Sequence, residues 1–236
     1  MKPPKDTPTA LPIYLQISET LSREIAAGRL ADGERLPPER ELAKQYGTTV
    51  RTLRKSLDKL ANEGFLKRIQ GSGNYVQHKP DAKSIYSMFR LELHGGGGLP
   101  HADILDVTEL DKPADLPEFG TSDRGTRIRR LRYLDQTVIA VEEIWLDRNS
   151  GAIAPEALSD SLYRFYQMKL GFWITRAEDR VSIDTVPDWA PDAFGKAAGT
   201  TTAYIERFSW AQEAAPVEFS RTWYDTDKAL YIQRLI

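Results

Sequence analysis

The chain has 236 residues, no cysteine, three histidines and a formal net charge of −2, enough length for two domains of ordinary size. Without cysteine there is no disulfide, thiol nucleophile or thiolate metal site, and His78, His94 and His101 offer little for an imidazole site, so no metal and no cofactor are expected. No apolar run approaches the ~20 residues that span a bilayer, and the N-terminus lacks a signal-peptide core, so the chain reads as soluble and cytoplasmic.

The charge is divided unevenly. Residues 1–80 hold 14 Lys+Arg against 9 Asp+Glu, and residues 81–236 hold 18 against 25. A basic first part can neutralise phosphates, whereas an acidic second part would repel a duplex and must serve another purpose. Modest asymmetry of this kind is common between domains. It gains weight only beside a DNA-reading motif.

Residues 1–10 are rich in proline and threonine and are expected to be disordered. Pro12 to Ala27 reads as a helix packed through Ile13, Leu15, Ile17, Leu21 and Ile25, and stopped by Gly28. Glu39 to Tyr46 forms a short helix with Leu42 and Tyr46 on one face, and Gly47 ends it by taking the left-handed conformation. Thr49 then caps a second helix with an inner stripe of Val50, Leu53, Leu57 and Leu60. A short turn between two such helices is the geometry that places the second in a major groove. Phe65 to Ile69 and Asn74 to His78 flank Gly71-Ser72-Gly73 as a hairpin whose tip can approach a backbone closely.

Residues 79–101 read as a connection. Gly95 to Gly98 is a four-glycine run without the Gly-Lys-Ser/Thr pattern of a phosphate loop, so a flexible loop is expected. Beyond it the pattern is mainly period-two: Ile104 to Glu109, Arg127 to Tyr133, Val138 to Leu146, Phe172 to Val186, Thr201 to Ala211 and Val217 to Tyr224 read as strands. Asp135-Gln136 turns the second into the third. Two helices interrupt the strands, Ser161 to Leu170 stopped by Gly171 and Pro191 to Ala198 stopped by Gly199. Hairpins with few helices indicate an α+β domain on an antiparallel sheet.

In this second part Arg130 and Arg132 are two apart on a strand and project from one face, with Glu142 on the next strand alongside Val138 and Ala140. Paired guanidinium forks favour a carboxylate or phosphate, while Glu142 and Glu218 can accept hydroxyl or amine hydrogens. Ser161, at a helix start, can bind an anion or act as a plain N-cap. Tyr163 can contact a ligand or pack in an aromatic core, and Arg132 with Glu142 can equally be a solvated cross-strand ion pair.

The first block, Leu36-Pro37-Pro38-Glu39-Arg40-Glu41-Leu42-Ala43, Gly47-Thr48-Thr49-Val50, Thr52-Leu53-Arg54 and Gly71-Ser72-Gly73-Asn74-Tyr75-Val76, resembles the winged helix-turn-helix of the GntR family of bacterial regulators. Val50 stands where the family usually carries an arginine, and Arg51 is the neighbour that can take over its contact. Arg130 and Arg132, Glu142, Ser161-Leu162-Tyr163, Gly171, Pro216-Val217-Glu218 and Tyr224 resemble the UTRA effector-binding domain of the HutC subfamily, whose fold is similar to chorismate lyase. The resemblance implies a winged helix-turn-helix domain over 11–78, a linker over 79–101 and a UTRA-like effector-binding and dimerisation domain over 102–236.

It further implies a ligand-responsive regulator, most often a repressor, that binds a pseudo-palindromic operator as a homodimer and is released by a small anionic metabolite. DNA contacts fall to Arg40, Thr49, Arg51, Thr52, Arg54, Gly71, Ser72 and Gly73. Ligand contacts fall to Arg130, Arg132, Glu142, Ser161, Tyr163, Glu218 and Tyr224. Two rivals are an enzyme of chorismate lyase-like fold and an effector-independent DNA-binding protein. Against the first, no nucleophile–base pair, metal cluster or cofactor loop stands in the sequence.

Overall fold

Leu42 and Ala43, adjacent on a seven-residue helix, are the only inward side chains that so short an element needs to dock. In the computed structural model, which describes residues 12–26, 28–77, 88–98, 100–153, 158 and 162–234, that helix is the second of three. Helix α1 is Ile13–Ala26, α2 Glu39–Gln45 and α3 Val50–Asn62, followed by strands β1 Leu66–Ile69 and β2 Gly73–Val76. The core beneath them is Ile17, Leu21, Ile25, Leu36, Leu42, Leu53, Leu57, Leu60, Phe65, Leu66 and Val76, with Val50 and Tyr46 packed at its margin. Each fully buried aliphatic side chain contributes roughly 1.5–3 kcal/mol against exposure. Ile13 departs from the expected stripe. It sits in the first turn of α1 and is exposed.

The described residues form two compact units, one of 12–98 with 231–234 and one of 100–230. In the first unit the glycine run is not the loose loop expected from its composition. It follows β3 (Leu91–Leu93) as a tight turn, in which Gly96 N–H donates to Leu93 O at 2.7 Å and Leu93 N–H to Gly97 O at 3.2 Å. Gly96, Gly97 and Gly98 all have positive φ, and a Cβ on Gly96 would lie 2.5 Å from Arg29 Nη1. The positive φ is what favours glycine at these positions, since the Arg29 guanidinium is the end of a flexible side chain. Arg23 Nη2 donates to Gly98 O at 2.6 Å and holds the turn on α1. The C-terminal residues join the same unit: Ile232 N–H donates to Arg90 O, and Arg234 makes a two-bond pair with Glu92 at 2.5 and 3.1 Å. Burial would raise the Glu92 carboxyl, but Arg234, then the Gly97 backbone N–H and Arg29, outweigh it and hold the group below its usual range.

The second unit is a six-stranded antiparallel sheet of β4 Pro100–Asp111, β5 Arg124–Leu134, β6 Thr137–Asp147, β7 Arg176–Thr185, β8 Thr201–Trp210 and β9 Glu218–Tyr224, in the order β4-β5-β6-β9-β8-β7. Helix α4, Leu162–Phe165, runs on as a π-helical turn through Leu170 and ends at Gly171, whose φ is +78°. It covers Ile128, Ile144 and Leu146 on one face of the sheet. The opposite face packs Leu131, Val141, Tyr204 and Trp223 against Val186 and Phe194. A last strand, β10, is Ala229–Tyr231.

Three expectations need correction here. Pro191 to Ala198 is not a helix but a single 3-10 turn, Asp192–Phe194, because Gly195 takes a left-handed φ of +81° directly after the one buried anchor, Phe194. The strand expected from Phe172 begins only at Arg176; Phe172 and Ile174 instead pack on the cluster around α4. Val138 does not share a face with Glu142. The register shifts between Arg132 and Tyr133, leaving Ile139 unopposed, and Val138 lands on the Leu131 side.

Candidate functional site

On the helical unit, the turn between α2 and α3 is built by Gly47 at φ +57° and by Thr48, whose N–H donates to Ala43 O at 2.9 Å. Thr49 then caps α3 through its Oγ1, which accepts from Thr52 N–H at 3.1 Å and lies 2.9 Å from Thr52 Oγ1. Arg40, Arg51, Arg54 and Lys55 are all exposed on the helices that flank this turn. Arg54 Nε donates to Glu39 Oε2 at 2.6 Å, so α2 and α3 are tied across their polar faces and the guanidinium is aimed. Lys55 lies over the Tyr14 ring at 4.6 Å. At the hairpin tip Gly71 and Gly73 have φ of +75° and +134°, and Ser72 Oγ meets Tyr75 Oη at 2.7 Å. A Cβ on Gly73 would lie 3.2 Å from Arg35 Nε.

In the sheet unit, cross-strand register decides which polar side chains meet. One row runs Arg130, Glu142, Thr222 and Ile205; the next runs Ile128, Ile144, Ser220, Arg207 and Asp179; a third runs Leu146, Glu218 and Ser209. Arg132, Ala140 and Tyr224 form a fourth row on the same face. Arg130 and Arg132 therefore do point together, and both are bound to Glu142. Arg130 donates from Nε at 3.1 Å and from Nη2 at 2.6 Å, and Arg132 from Nη1 at 3.1 Å, all to Glu142 Oε2. Arg130 and Arg132 are buried and the Glu142 side chain is only 14% exposed, so these ion pairs are not the solvated cross-strand kind. Burial would raise the Glu142 carboxyl, but Arg130 and then Arg132 outweigh it and hold the group down at about 2. With Glu142 ionised, the trio retains one net positive charge.

Glu218 behaves in the opposite way. It accepts from Tyr166 Oη at 2.6 Å, Ser209 Oγ at 2.9 Å and Tyr163 Oη at 3.3 Å, and burial pushes its carboxyl up. Burial likewise pushes the Tyr163 and Tyr166 hydroxyls up, with the Glu218 charge adding to it. Of the expected ligand residues, the structure thus brings together Arg130, Arg132 and Glu142, joins Tyr163 to Glu218, and sets Tyr224 on the same face. Ser161 lies outside the described residues.

The sequence reading missed Tyr166, Ser209, Arg207 and Asp179. Arg207 makes a two-bond pair with Asp179 at 2.5 and 2.7 Å. Burial would lower the Arg207 group, but the hydrogen bond with Asp179 and the Tyr163 charge raise it. Period-two spacing from Arg207 to Ser209 was visible in the sequence, but the pairing of β8 with β9 that sets them beside Ser220 and Glu218 was not. Among the described residues no group of three or more His, Cys, Asp or Glu is placed to hold a metal, and no helix is long and apolar enough to cross a membrane.

Comparison with known proteins agrees with this division of labour. Residues 13–76 match the bacterial regulatory proteins of the gntR family, and residues 96–229 match the UTRA domain. The chain is similar to the HTH-type transcriptional regulator SmoD of Agrobacterium fabrum, 52% identical across 98% of this chain and 99% of that protein. It is also similar to the HTH-type transcriptional repressor NagR of Bacillus subtilis, at 25% identity over 94% of each chain. The solved structure of the possible transcriptional regulator YydK from Bacillus subtilis shares the fold, with a TM-score of 0.55 and 19% identity over 95% of this chain and 99% of that one. These relatives are regulators of transcription and not enzymes. The chain accordingly belongs to the gntR family of bacterial regulatory proteins, as a transcriptional regulator that joins a helix-turn-helix DNA-binding domain to a UTRA ligand-binding domain.

Proposed function

We propose that this regulator is a cytoplasmic repressor that holds a pseudo-palindromic operator as a homodimer and lets go when a small anionic metabolite binds its sheet domain. In this reading residues 11–78 read the DNA, 79–101 connect, and 102–236 take the effector and carry the dimer. Arg40, Arg51, Thr52 and Arg54 contact bases and phosphates from the two helices, Thr49 presents the start of α3, and Gly71-Ser72-Gly73 brings the hairpin tip to the backbone. Arg51 replaces the arginine that Val50 displaces.

The observation that carries the effector reading is that Arg130 and Arg132 are brought together, buried, on one face of the sheet around the Glu142 carboxylate. Two guanidinium forks side by side match the planar oxygens of a carboxylate or phosphate, which favours an anionic ligand. Glu218 and Tyr163, with Tyr224 on the same face, supply acceptors and donors for the ligand's neutral groups. NagR, a relative over nearly the whole length, is a repressor by name, which favours repression here.

The test is a panel of small carboxylates and sugar phosphates, read by melting temperature and by release of operator in a mobility shift. A binding member should stabilise the protein, by about 2.7 kcal/mol at a hundredfold excess over Kd. Arg130→Lys combined with Arg132→Lys keeps the charge and removes the forks. It should hold operator normally but lose release, with ligand affinity down by well over a hundredfold, since two charge-assisted bonds of ~1.5–3 kcal/mol are disturbed. Unchanged ligand affinity in the double variant would place the effector elsewhere.

A further inference from the structure

The hairpin of the helical unit is joined by a third extended segment. Leu36 N–H donates to Asn74 O at 2.9 Å, Val76 N–H donates to Glu34 O at 2.8 Å, and Arg35 pairs with Tyr75. The two faces of this small sheet are built differently. Leu66 and Val76 turn inward to the core, and on their face Arg68 donates to Asn74 Oδ1 at 3.1 Å and pairs with Asp58. Its charge is thereby neutralised. The outward face carries one row across all three segments, Arg35, Tyr75 and Lys67, because Tyr75 stands opposite both cations. Arg35 and Lys67 are exposed, and among the described residues neither has an acidic partner. The row is fixed at the hairpin tip. Tyr75 Oη lies 2.7 Å from Ser72 Oγ, and a Cβ on Gly73 would meet Arg35 Nε at 3.2 Å and Nη2 at 3.7 Å.

We infer that this row is a second DNA-contact surface, on which Arg35 and Lys67 bind backbone phosphates beside the point that the hairpin tip reaches. This rests on the reading proposed above, in which Gly71-Ser72-Gly73 approaches the duplex, and names the side chains that hold it there. The tip itself brings no charge. Arg35 and Lys67 stand two strand spacings apart, roughly 10 Å, which is about one Debye length at moderate salt, so their fields add at the tip. Two like charges in one row repel, and no carboxylate on this face relieves them. A phosphate backbone does. Tyr75 keeps the two cations apart and, through Ser72, fixed relative to the tip. Both cation types suit the ligand, the arginine as a fork and the lysine as a point charge. Phosphate contacts fix position and carry no sequence information, so this surface adds affinity and leaves base discrimination to α3.

The probe is a duplex of random sequence, since a phosphate contact forms on any sequence. Binding of the full chain is read by fluorescence anisotropy across a salt series. Arg35→Gln combined with Lys67→Gln should weaken binding on the order of tenfold at low salt. It should also lower the slope of log affinity against log salt by about 1.8 for each chain bound, about 0.9 per phosphate. Arg35→Lys should keep the wild-type slope. Lys59→Gln takes a charge from the same unit, but from a residue already paired with Glu63, and should leave the slope nearly unchanged. Melting temperature should not move in any of the three, because the substituted side chains at 35 and 67 are exposed and Lys59 is held only by a surface pair. A double variant with the wild-type slope overturns the inference, and so does a like fall per charge in Lys59→Gln. A loss that differs between two duplexes of different sequence means base reading and overturns it too. If Arg54→Ala still weakens binding in those cases, the DNA reading of α3 stands. A wild-type chain that binds no duplex overturns both.

Discussion

Arginine is used in opposite ways in the two units. On α3, Arg54 keeps 63% of its side chain in solvent although it pairs with Glu39. In the sheet, Arg130 and Arg132 keep 7% and 9% and share one carboxylate oxygen. An exposed pair such as the first contributes little to stability, about 0–1 kcal/mol, and leaves the guanidinium ready to exchange its carboxylate for a phosphate or a base edge. A buried trio is different. Breaking it removes the carboxylate that both buried guanidiniums share, so the same residue type becomes a structural commitment. One half can therefore change its contacts without changing its fold, and the other cannot. That separation is what a sensor joined to a DNA reader needs.

The largest effect that follows is on Glu142. Glu142→Gln removes the carboxylate to which both Arg130 and Arg132 donate, and should cost about 3–5 kcal/mol in urea unfolding. Its pH dependence gives an independent check. The folded carboxyl sits at about 2 against an ordinary 4.5, so the group binds its proton less readily when folded. A depressed carboxyl contributes stability that is fully present above about 4.5 and is lost as pH falls toward 2, about 3 kcal/mol in all. The gap between wild type and Glu142→Gln should hence narrow as pH is lowered through that window. Glu218 works with the opposite sign. Burial raises its carboxyl, so its contribution is present at low pH and declines as pH rises through the raised value. A Glu142→Gln protein as stable as wild type at pH 7 would mean that the trio is not the charged centre described above.

The complementary experiment is on the exposed side. Arg54→Ala and Arg40→Ala should each weaken operator binding by ~1–3 kcal/mol, while stability moves by no more than about 0.5 kcal/mol. If the lost contact is to phosphate, the salt dependence of binding should fall by about one ion. Should Arg54→Ala unfold the domain instead, its pair with Glu39 would be structural and the contrast between the two units would fail.

How much of this was legible beforehand follows the range of the contacts involved. The helix-turn-helix rests on local chemistry: Thr49 caps three residues ahead, Gly47 turns the chain, and Leu53, Leu57 and Leu60 repeat at helical spacing. The pair Arg130 and Arg132 was readable for the same reason, two residues apart on one strand and one tight turn from Glu142. Arg207 and Asp179 are 28 residues apart and meet only because β7 and β8 pair, which no local pattern fixes. The glycine run misled because composition says nothing of Arg23 and Arg29 lying over it. Pro191 to Ala198 misled because the stop was placed at Gly199, whereas Gly195 already takes the left-handed conformation in mid-pattern.

The smallest expected effect concerns Thr49, where local structure and recognition are joined in one hydroxyl. Its Oγ1 satisfies the Thr52 N–H, one of the four amides that the start of α3 leaves without an intrahelical partner. Thr49→Ala should therefore cost ~1 kcal/mol of stability, and Thr49→Ser, which keeps the acceptor, much less. The operator affinities of the two variants decide what else the residue does. If Thr49 serves DNA only by fixing the first turn of α3, Ser restores both stability and binding together. If its methyl or hydroxyl touches the duplex, Ser restores stability while binding stays weak. Loss of binding in Thr49→Ala without any fall in melting temperature would remove the cap from the account and leave contact alone.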